Sequence, residues 1–537
     1  MGYAHDYAHA VLHRGRVPME PTDHVVGWAD GPRKGKYHPY AETFALPETE
    51  DLADVPIAPG LLPHASQVGR AEQGFTLPLL SAMLKDSYGL TGRRLGIQAN
   101  TDLPGLPFYT HANWSRGTAG GGGLYPVSVH WACGPSGPLL PGLHYYDVHR
   151  HALQRLLAGE VSDRVRAALG PDAPAGALET DQYLILGVKY WQNSFKYNSF
   201  SFHVVCTDLG TLVQTWRIWA AARGLRLAPA LWFDEPGLGE LLGVPGEEEA
   251  VFAVVPLLWD GPGPDPRPAP ADARHRPSAR HRDLERSRTL RDFTALRRMH
   301  RATLDGASDR PAPGALAAAA ALPDDGGGER TALPAPALPD TGLRRTLRAR
   351  RSSFGRFDAG RRVSAGELSA VLAACADTHL AGDSDPSGEL RLARLYVFAG
   401  HVEGVEPGAY AYDPDRGELR LVAAGPQGSF VQANYFLANY NLEQAGAVLV
   451  PTVRTTAVLD AVGERGYRLA VGTAGAVAQS FYLAATALGL GAGVALGFDN
   501  VSYAERLGLA DGDEAPLLIM ALGHERPRPA DFRHELA

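Results

Sequence analysis

A stretch near the middle of the chain, RTLRARRSSFGRF at positions 345–357, combines clustered arginines with paired serines. Guanidinium and hydroxyl groups bind anions such as phosphates through charge-assisted hydrogen bonds. The same residues also suit an ordinary charged helix start. The stretch is therefore a candidate anion site, with a structural role as the alternative.

A second candidate is a run of four glycines, 120–123, that leads into the strand-like segment LYPVSVHW. Glycine lets the backbone approach a ligand closely, although a flexible turn has the same composition. The run lacks the GKS or GKT of a P-loop, so it does not predict a nucleoside triphosphate site.

The elements that carry these residues occur twice. Residues 206–258 align with 471–523 without a gap at an offset of 265, and 142–159 align with 408–425 at an offset of 266. The matched pairs include Gly210 with Gly475, Gln214 with Gln479, Gly224 with Gly489, and Asp234 with Asp499. Each copy opens with an apolar run of helical period that ends at a glycine and precedes a β-like run. The chain is therefore a tandem duplication, and a fused pair can replace a homodimer with an approximate two-fold axis.

Composition divides the chain further. Residues 1–60 are polar and proline-rich, which predicts an arm lying on the domain, and 261–342 are rich in Pro, Ala and Gly, which is typical of a linker. Within that linker, residues 281–304 favour a surface or docking helix. The two repeated domains are then 61–260 and 343–537, each long enough to bury a substantial core.

Charge and cysteine usage exclude several classes. A net charge of −8 and a pI near 6.2 provide no basic field for nucleic acid. The three cysteines have no metal-ligand spacing, and the histidines of HYYDVHRH lie on a turn whose second copy has none, so no metal site is expected. No apolar run is long enough for a membrane span and no signal core is evident, so the expected location is cytoplasmic.

Together, the duplicated α+β unit, the RRSS start and the paired glutamines resemble the FMN-dependent nitroreductase superfamily. The GG-LYP run, the YYD turn and KYNSFSFHVVCTDLG are similar to its SagB/ThcOx-type azoline dehydrogenases. The resemblance implies two tandem nitroreductase-like domains, each with a central, mostly antiparallel sheet wrapped by helices. These would form an intramolecular pseudo-dimer.

The resemblance also implies the site residues. The lysine-tyrosine pair of this subfamily matches Lys196 and Tyr197, in preference to the nearby Lys189-Tyr190. The implied FMN ligands are Arg350, Arg351, Ser352, Arg356, Gln479, Gly497 and Arg526, from HERPR at the end, with Gly121, Gly122, Gly123 and Leu124 forming the covering loop. Since each half keeps only part of this set, the expectation is one composite FMN site per chain and one vestigial site.

The implied chemistry is oxidation of a thiazoline or oxazoline ring in a ribosomally made peptide to the azole, with dioxygen as final acceptor. A general base must remove a ring proton. We expect Tyr197 to be that base, with the Lys196 cation lowering its pKa, and the reverse assignment stays open. A YcaO-type cyclodehydratase is a possible partner.

Two alternatives use the same features. An NAD(P)H-dependent nitro or quinone reductase would share fold and FMN, but gives no reason to keep Lys196 and Tyr197 in one half. A flavin-free scaffold subunit of a peptide-modifying complex is the second. Further oligomerisation of the fused chain stays open.

Overall fold

The computed structural model describes residues 2–64, 66–98, 108–109, 113–174, 176–244, 246–261, 278–353, 355–380, 382–383, 385, 388–526 and 531–536. Most of the first part of the predicted linker (262–277), the last two residues of the HERPR motif and the second-half loop positions 386–387 lie outside this set.

The first half contains helices α1 to α7 and strands β1 to β9. The helices are α1 Tyr3–His13, α2 Ala58–Leu61, α3 Leu77–Ser87, α4 Ser162–Leu169, α5 Trp191–Tyr197, α6 Ser201–Ala221 and α7 Glu235–Leu242. The strands are β1 Glu42–Ala45, β2 Gly92–Gln98, β3 Phe108–Tyr109, β4 Asn113–Ser115, β5 Val127–Cys133, β6 Gly142–Asp147, β7 Ala152–Ala158, β8 Gln182–Lys189 and β9 Glu249–Pro256.

The middle segment and the second half continue the series. The helices are α8 Thr294–Leu304, α9 Leu343–Ala349, α10 Ala365–Ala376, α11 Gly428–Ala433, α12 Thr455–Val462, α13 Gly466–Ala487 and α14 Asn500–Arg506. The strands are β10 Arg330–Ala332, β11 Ala393–Ala399, β12 Gly408–Asp413, β13 Glu418–Ala424, β14 Ala447–Val453, β15 Gly491–Ala495, β16 Ala515–Pro516, β17 Ile519–Gly523 and β18 Asp531–Glu535.

The duplication is visible in the order of the strands. One sheet runs β1-β7-β6-β5-β8-β9, and the other runs β10-β13-β12-β11-β14-β17-β15, with antiparallel neighbours throughout. Central strands of both sheets are buried on both faces because helices cover them. The predicted α+β class, with antiparallel sheets wrapped by helices, is confirmed.

A third, smaller sheet ties the end of the described chain to its first half. Strand β18 pairs with β2, which also pairs with β3 and β4. The second half therefore completes a sheet of the first half.

The two long helices α6 and α13 cross at the centre of the molecule, where glycines allow close contact. A Cβ atom on Gly210 would collide with the carbonyl of Gly472, and one on Gly475 would collide with the carbonyl of Thr207. Helix α13 is long and apolar enough to cross a membrane, but it is buried along its length and forms part of the core.

Helices α1 and α8, from the segments predicted as arm and linker, pack on each other and bury side chains in the core. Tyr7 and Val11 of α1 are buried, and so are Met299 and His300 of α8. The α8 helix is therefore not a solvated surface helix. Each repeated unit includes one of these helices and one edge strand, β1 or β10.

Arginines on opposite sides of the pseudo-two-fold axis make equivalent contacts. Arg465 on α13 donates to the carbonyl of Leu231 and pairs with Glu235 at 2.7 Å. At the offset of 265, Leu231 and Glu235 correspond to Leu496 and Asn500. Arg14, which follows α1, donates to both of these residues. The N-terminal segment thus supplies an arginine that the first long helix lacks.

Candidate active site

The glycine loop forms a 3-10 turn over 121–123 in which Gly122 and Gly123 have φ values of 60° and 65°. A Cβ atom on Gly122 would lie 2.6 Å from the hydroxyl oxygen of Tyr197 and would overlap the Lys196 ammonium nitrogen. Only glycine satisfies both the backbone conformation and this contact. The loop and the predicted lysine-tyrosine pair therefore meet at one point.

Lys196 and Tyr197 form the last turn of α5, and both are half-buried. The Lys196 ammonium lies 4.7 Å from the ring centroid of Tyr197 and 5.7 Å from that of Trp28. Trp28 belongs to the predicted arm and is 60% exposed, so it forms an aromatic rim beside the lysine.

The electrostatics of the pair differ from the sequence-based expectation. Burial lowers the pKa of Lys196. Burial, together with the nearby Asp208 carboxylate, raises the pKa of Tyr197, so the expected lowering by lysine is wrong. Lys196 is therefore more readily neutral and Tyr197 less readily ionised than in water, which makes the amine the better proton acceptor of the two.

Asp208, on α6, is a site residue that the sequence did not single out. Its Oδ1 accepts a 2.6 Å hydrogen bond from the amide of Gly121, and burial raises its pKa to about 7. Its Oδ2 is buried and has no hydrogen-bond partner among the described residues. The available signal was the repeat, because Asp208 corresponds to Thr473 and the second copy has no carboxylate there.

The predicted arm adds a second cation. The Lys34 ammonium would lie 4.0 Å from a Cβ atom on Gly123. Burial and the charges of Arg116 and Lys196 lower the pKa of Lys34. Arg116 lies between the rings of Tyr88 and Tyr125, 4.5 and 4.1 Å from their centroids. The region around the loop is therefore electropositive, which sequence composition could not indicate because the arm is distant in sequence.

The predicted phosphate-binding stretch reaches the same region. Arg350 is buried and donates from Nε and Nη2 to the carbonyl of Arg116, at 3.2 and 3.0 Å. This arginine from the second half thus fixes the residue that begins the loop segment of the first half. Ser352, two residues on, lies 2.9 Å from the Tyr482 hydroxyl.

The remaining arginines of this stretch lie close to the end of the last core strand. The amide of Arg526 donates to the carbonyl of Arg356 at 2.9 Å, and Arg351 pairs with Glu525 at 3.5 Å. The side-chain Nε atoms of Arg116 and Arg356 are buried without a hydrogen-bond partner in the described part of the chain. Arginine and serine donors of this kind suit a phosphate, and the glycine loop leaves room that a side chain would fill, so the residues present fit FMN.

Two predicted ligands have structural partners instead. Gln479 on α13 accepts from the amide of Ala119 and donates to the carbonyl of Gly117, at 3.0 and 3.1 Å, so it holds the loop segment across the domain interface. The carbonyl of Leu124 accepts a 3.2 Å hydrogen bond from Gln192. Both residues support the loop.

Gly497 is the predicted ligand that the structure places apart. Its carbonyl accepts from the amide of Phe436 at 2.9 Å, and a Cβ atom there would lie 3.2 Å from the side chain of Leu437. The printed contacts of Gly497 within the described chain reach neither the loop nor the arginine cluster.

The counterpart position in the first half carries the opposite charge. At the offset of 266, Leu84 replaces Arg350 and Asp86 replaces Ser352, and Asp86 is buried beside Arg344 at 3.4 Å. A buried carboxylate in place of a phosphate donor disfavours an anion at this second position.

Comparison with known proteins agrees with this architecture. Residues 347–524 match the sequence model of the nitroreductase family. A Methanocaldococcus jannaschii protein named as a nitroreductase is 34% identical over 139 residues, which span 24% of this chain and 64% of that protein's length. A crystal structure described as a nitroreductase, from Anabaena variabilis, superposes with a TM-score of 0.70 and 21% identity, and the superposition covers 98% of this chain and all of that one.

The second half thus contains a nitroreductase family domain, and the nitroreductase fold extends over the whole chain. This class of fold and site indicates an oxidoreductase. Both halves contribute side chains to its single well-formed candidate site.

Proposed function

We propose that the protein is an FMN-dependent dehydrogenase that oxidises a thiazoline or oxazoline ring in a ribosomally made peptide to the azole. The observation that carries the proposal is the contact of Lys196 and Tyr197 with Gly122, which puts a desolvated amine at the glycine loop. The resemblance of KYNSFSFHVVCTDLG to azoline dehydrogenases supplies the substrate class.

Each half of the chain has its own task in this proposal. Arg350, Arg351, Ser352, Arg356 and Arg526 of the second half would hold the FMN phosphate, and residues 121–124 of the first half would cover the ring. When bound, FMN would accept the ring hydride and deliver the electrons to dioxygen. The second pseudo-symmetric position, with Asp86 in place of Ser352, would stay empty of flavin.

The protein's own residues manage the proton. Oxidation of an azoline removes one proton and one hydride from adjacent ring atoms, and the proton passes to the neutral Lys196 amine. Tyr197, whose pKa is raised, stays protonated and donates a hydrogen bond to the substrate. Trp28, exposed next to Lys196, gives the planar ring a stacking surface.

The test is azoline oxidation by FMN-loaded variants. Lys196→Ala should bind FMN normally and lose activity by about 100-fold or more, as expected when a general base is removed. The matched control is Lys189→Ala, since Lys189 is the other Lys-Tyr lysine but pairs with Asp283 and Glu285. Wild-type activity of Lys196→Ala would overturn the proposal, and rapid bleaching of the flavin by NAD(P)H would favour a reductase.

A further inference from the structure

Asp208 is not needed to build the fold, yet it lies directly under the glycine loop. We propose that Asp208 is a positioning residue whose carboxylate anchors the loop through Gly121 and so fixes the gap occupied by Lys196 and Tyr197. The inference rests on the proposed function only in giving those two side chains a catalytic task.

The geometry begins with helix α6. Val204 and Asp208 are four residues apart and share one face of this helix. A Cβ atom on Gly121 would lie 2.5 Å from the Val204 side chain and 3.4 Å from Asp208 Oδ1, so the loop rests on this face. The 2.6 Å hydrogen bond from the Gly121 amide to Oδ1 joins the loop to the helix. Gly122, the next residue, contacts Lys196 and Tyr197.

The second copy shows what the helix looks like without this anchor. Thr473, the counterpart of Asp208, donates its hydroxyl to the carbonyl of Leu469 in its own helix, at 2.9 Å. Thr207 makes the same local bond to His203 on α6, at 3.0 Å. A threonine is therefore enough for the helix. The carboxylate occurs only in the half that also has the glycine loop, Lys196 and Tyr197.

The second oxygen of Asp208 argues against a purely structural role. A buried carboxyl oxygen with no partner among the described residues costs stability. The titratable neighbours are Tyr88, after α3, and Tyr197, after α5, and the Asp208 charge raises the pKa of both. Lys34, Arg116 and Lys196 line the loop but form no ion pair with Asp208. A costly group that persists in one copy of a duplication is expected where function requires it.

Protonation gives the anchor a testable pH response. The ionised carboxylate is the stronger acceptor, and burial moves the pKa of Asp208 to about 7. As the pH falls below this value, the bond to Gly121 weakens and the loop loosens. Asparagine in this position keeps an oxygen acceptor but cannot titrate.

The experiment measures amide hydrogen exchange of the 117–124 segment in the full-length protein between pH 5 and pH 8.5, corrected for intrinsic exchange rates. We expect Asp208→Ala to speed exchange of this segment by about tenfold or more at pH 8. In the wild type, exchange should rise toward acidic pH, and Asp208→Asn should remove that rise. Thr473→Ala is the matched control and should leave the segment unchanged.

Activity is the second readout. In the FMN-loaded enzyme, Asp208→Asn should lose the acidic limb of the pH profile of kcat. Exchange in Asp208→Ala equal to the wild type, or an acidic rise that persists in Asp208→Asn, would overturn the inference. Because exchange is measured without substrate, it tests the anchor even if azolines are not oxidised, and azoline oxidation with an unresponsive loop would leave the proposed function standing.

Discussion

At the scale of single residues, one glycine determines whether two reactive side chains share a pocket. Gly122 combines a left-handed backbone with a position where any Cβ atom would meet Lys196 and Tyr197. Its role is to leave space, so substitution should affect the site more than the fold.

We expect Gly122→Ala to lower activity by about tenfold or more, which corresponds to ~1.4 kcal/mol of transition-state stabilisation. The added methyl must displace the amine and the phenol, and the backbone strain adds about 1 kcal/mol or more. Gly489→Ala is the control, because Gly489 has a φ of 73° but open space at its Cβ position. It should cost stability while activity stays within about twofold. Equal activity losses in the two variants would contradict the steric argument.

The sequence could predict the site residues that differ between the two copies and match a known motif, such as Lys196, Tyr197 and Arg350. It could not predict Asp208 as a partner of Gly121, because that hydrogen bond joins residues 87 positions apart. Lys34 was missed for a similar reason, since its polar, proline-rich surroundings are typical of a loose arm. The pKa of Tyr197 was wrong because burial outweighs the neighbouring lysine.

At the scale of elements, the crossing of α6 and α13 controls how the halves meet. The site depends on this crossing, since Gln479 on α13 holds the loop segment of the other half. The backbones approach closely only because glycines face carbonyl groups at the crossing.

Gly210→Ala should therefore destabilise the protein by about 1–3 kcal/mol, because the methyl collides with the Gly472 carbonyl and the helices must separate. Gly366→Ala, in α10 with open space around it, should instead be neutral or stabilising by roughly 0.5–1 kcal/mol. Chemical denaturation of both variants provides the measurement. A stable Gly210→Ala protein would show that the crossing tolerates a wider separation.

The N-terminal helix contributes through Arg14, whose guanidinium donates to Val11, Leu496 and Asn500. Arg14→Ala should cost about 2–3 kcal/mol, because buried acceptors lose their donor. Arg16→Ala is the matched control, since its pairs with Asp499 and Glu505 are on the surface and should be worth about 0–1 kcal/mol. If the two substitutions have equal effects on thermal unfolding, the comparison of Arg14 with Arg465 fails.

The repeat made the elements of the two halves predictable, since each helix and strand near the aligned stretches has a counterpart. The pairs α1 with α8 and β1 with β10 could not be found in this way. Their sequences have diverged into different compositions, and only burial of their apolar faces shows that they belong to the repeated unit.

At the scale of the whole molecule, the pseudo-two-fold axis relates two positions with different chemistry. One combines the arginines of the second half with the glycine loop of the first. At the other, Asp86 occupies the place of Ser352.

We expect the purified protein to carry about one FMN per chain. Release of the chromophore, its identification by mass and its molar ratio to protein provide the measurement. Arg350→Ala should reduce the ratio well below one, whereas Lys85→Ala, at the position equivalent to Arg351, should not change it. A ratio of two would mean that the first half also binds flavin, and no flavin after reconstitution would favour a scaffold role.

Covalent fusion of the halves has a consequence for assembly. If they were separate polypeptides, like-with-like pairing would give complexes with two bases and no phosphate site, or the reverse. A tether keeps the unlike partner at high effective concentration and makes the productive pairing intramolecular. The strand that β18 adds beside β2 strengthens this preference, because each first half receives an edge strand from its own chain.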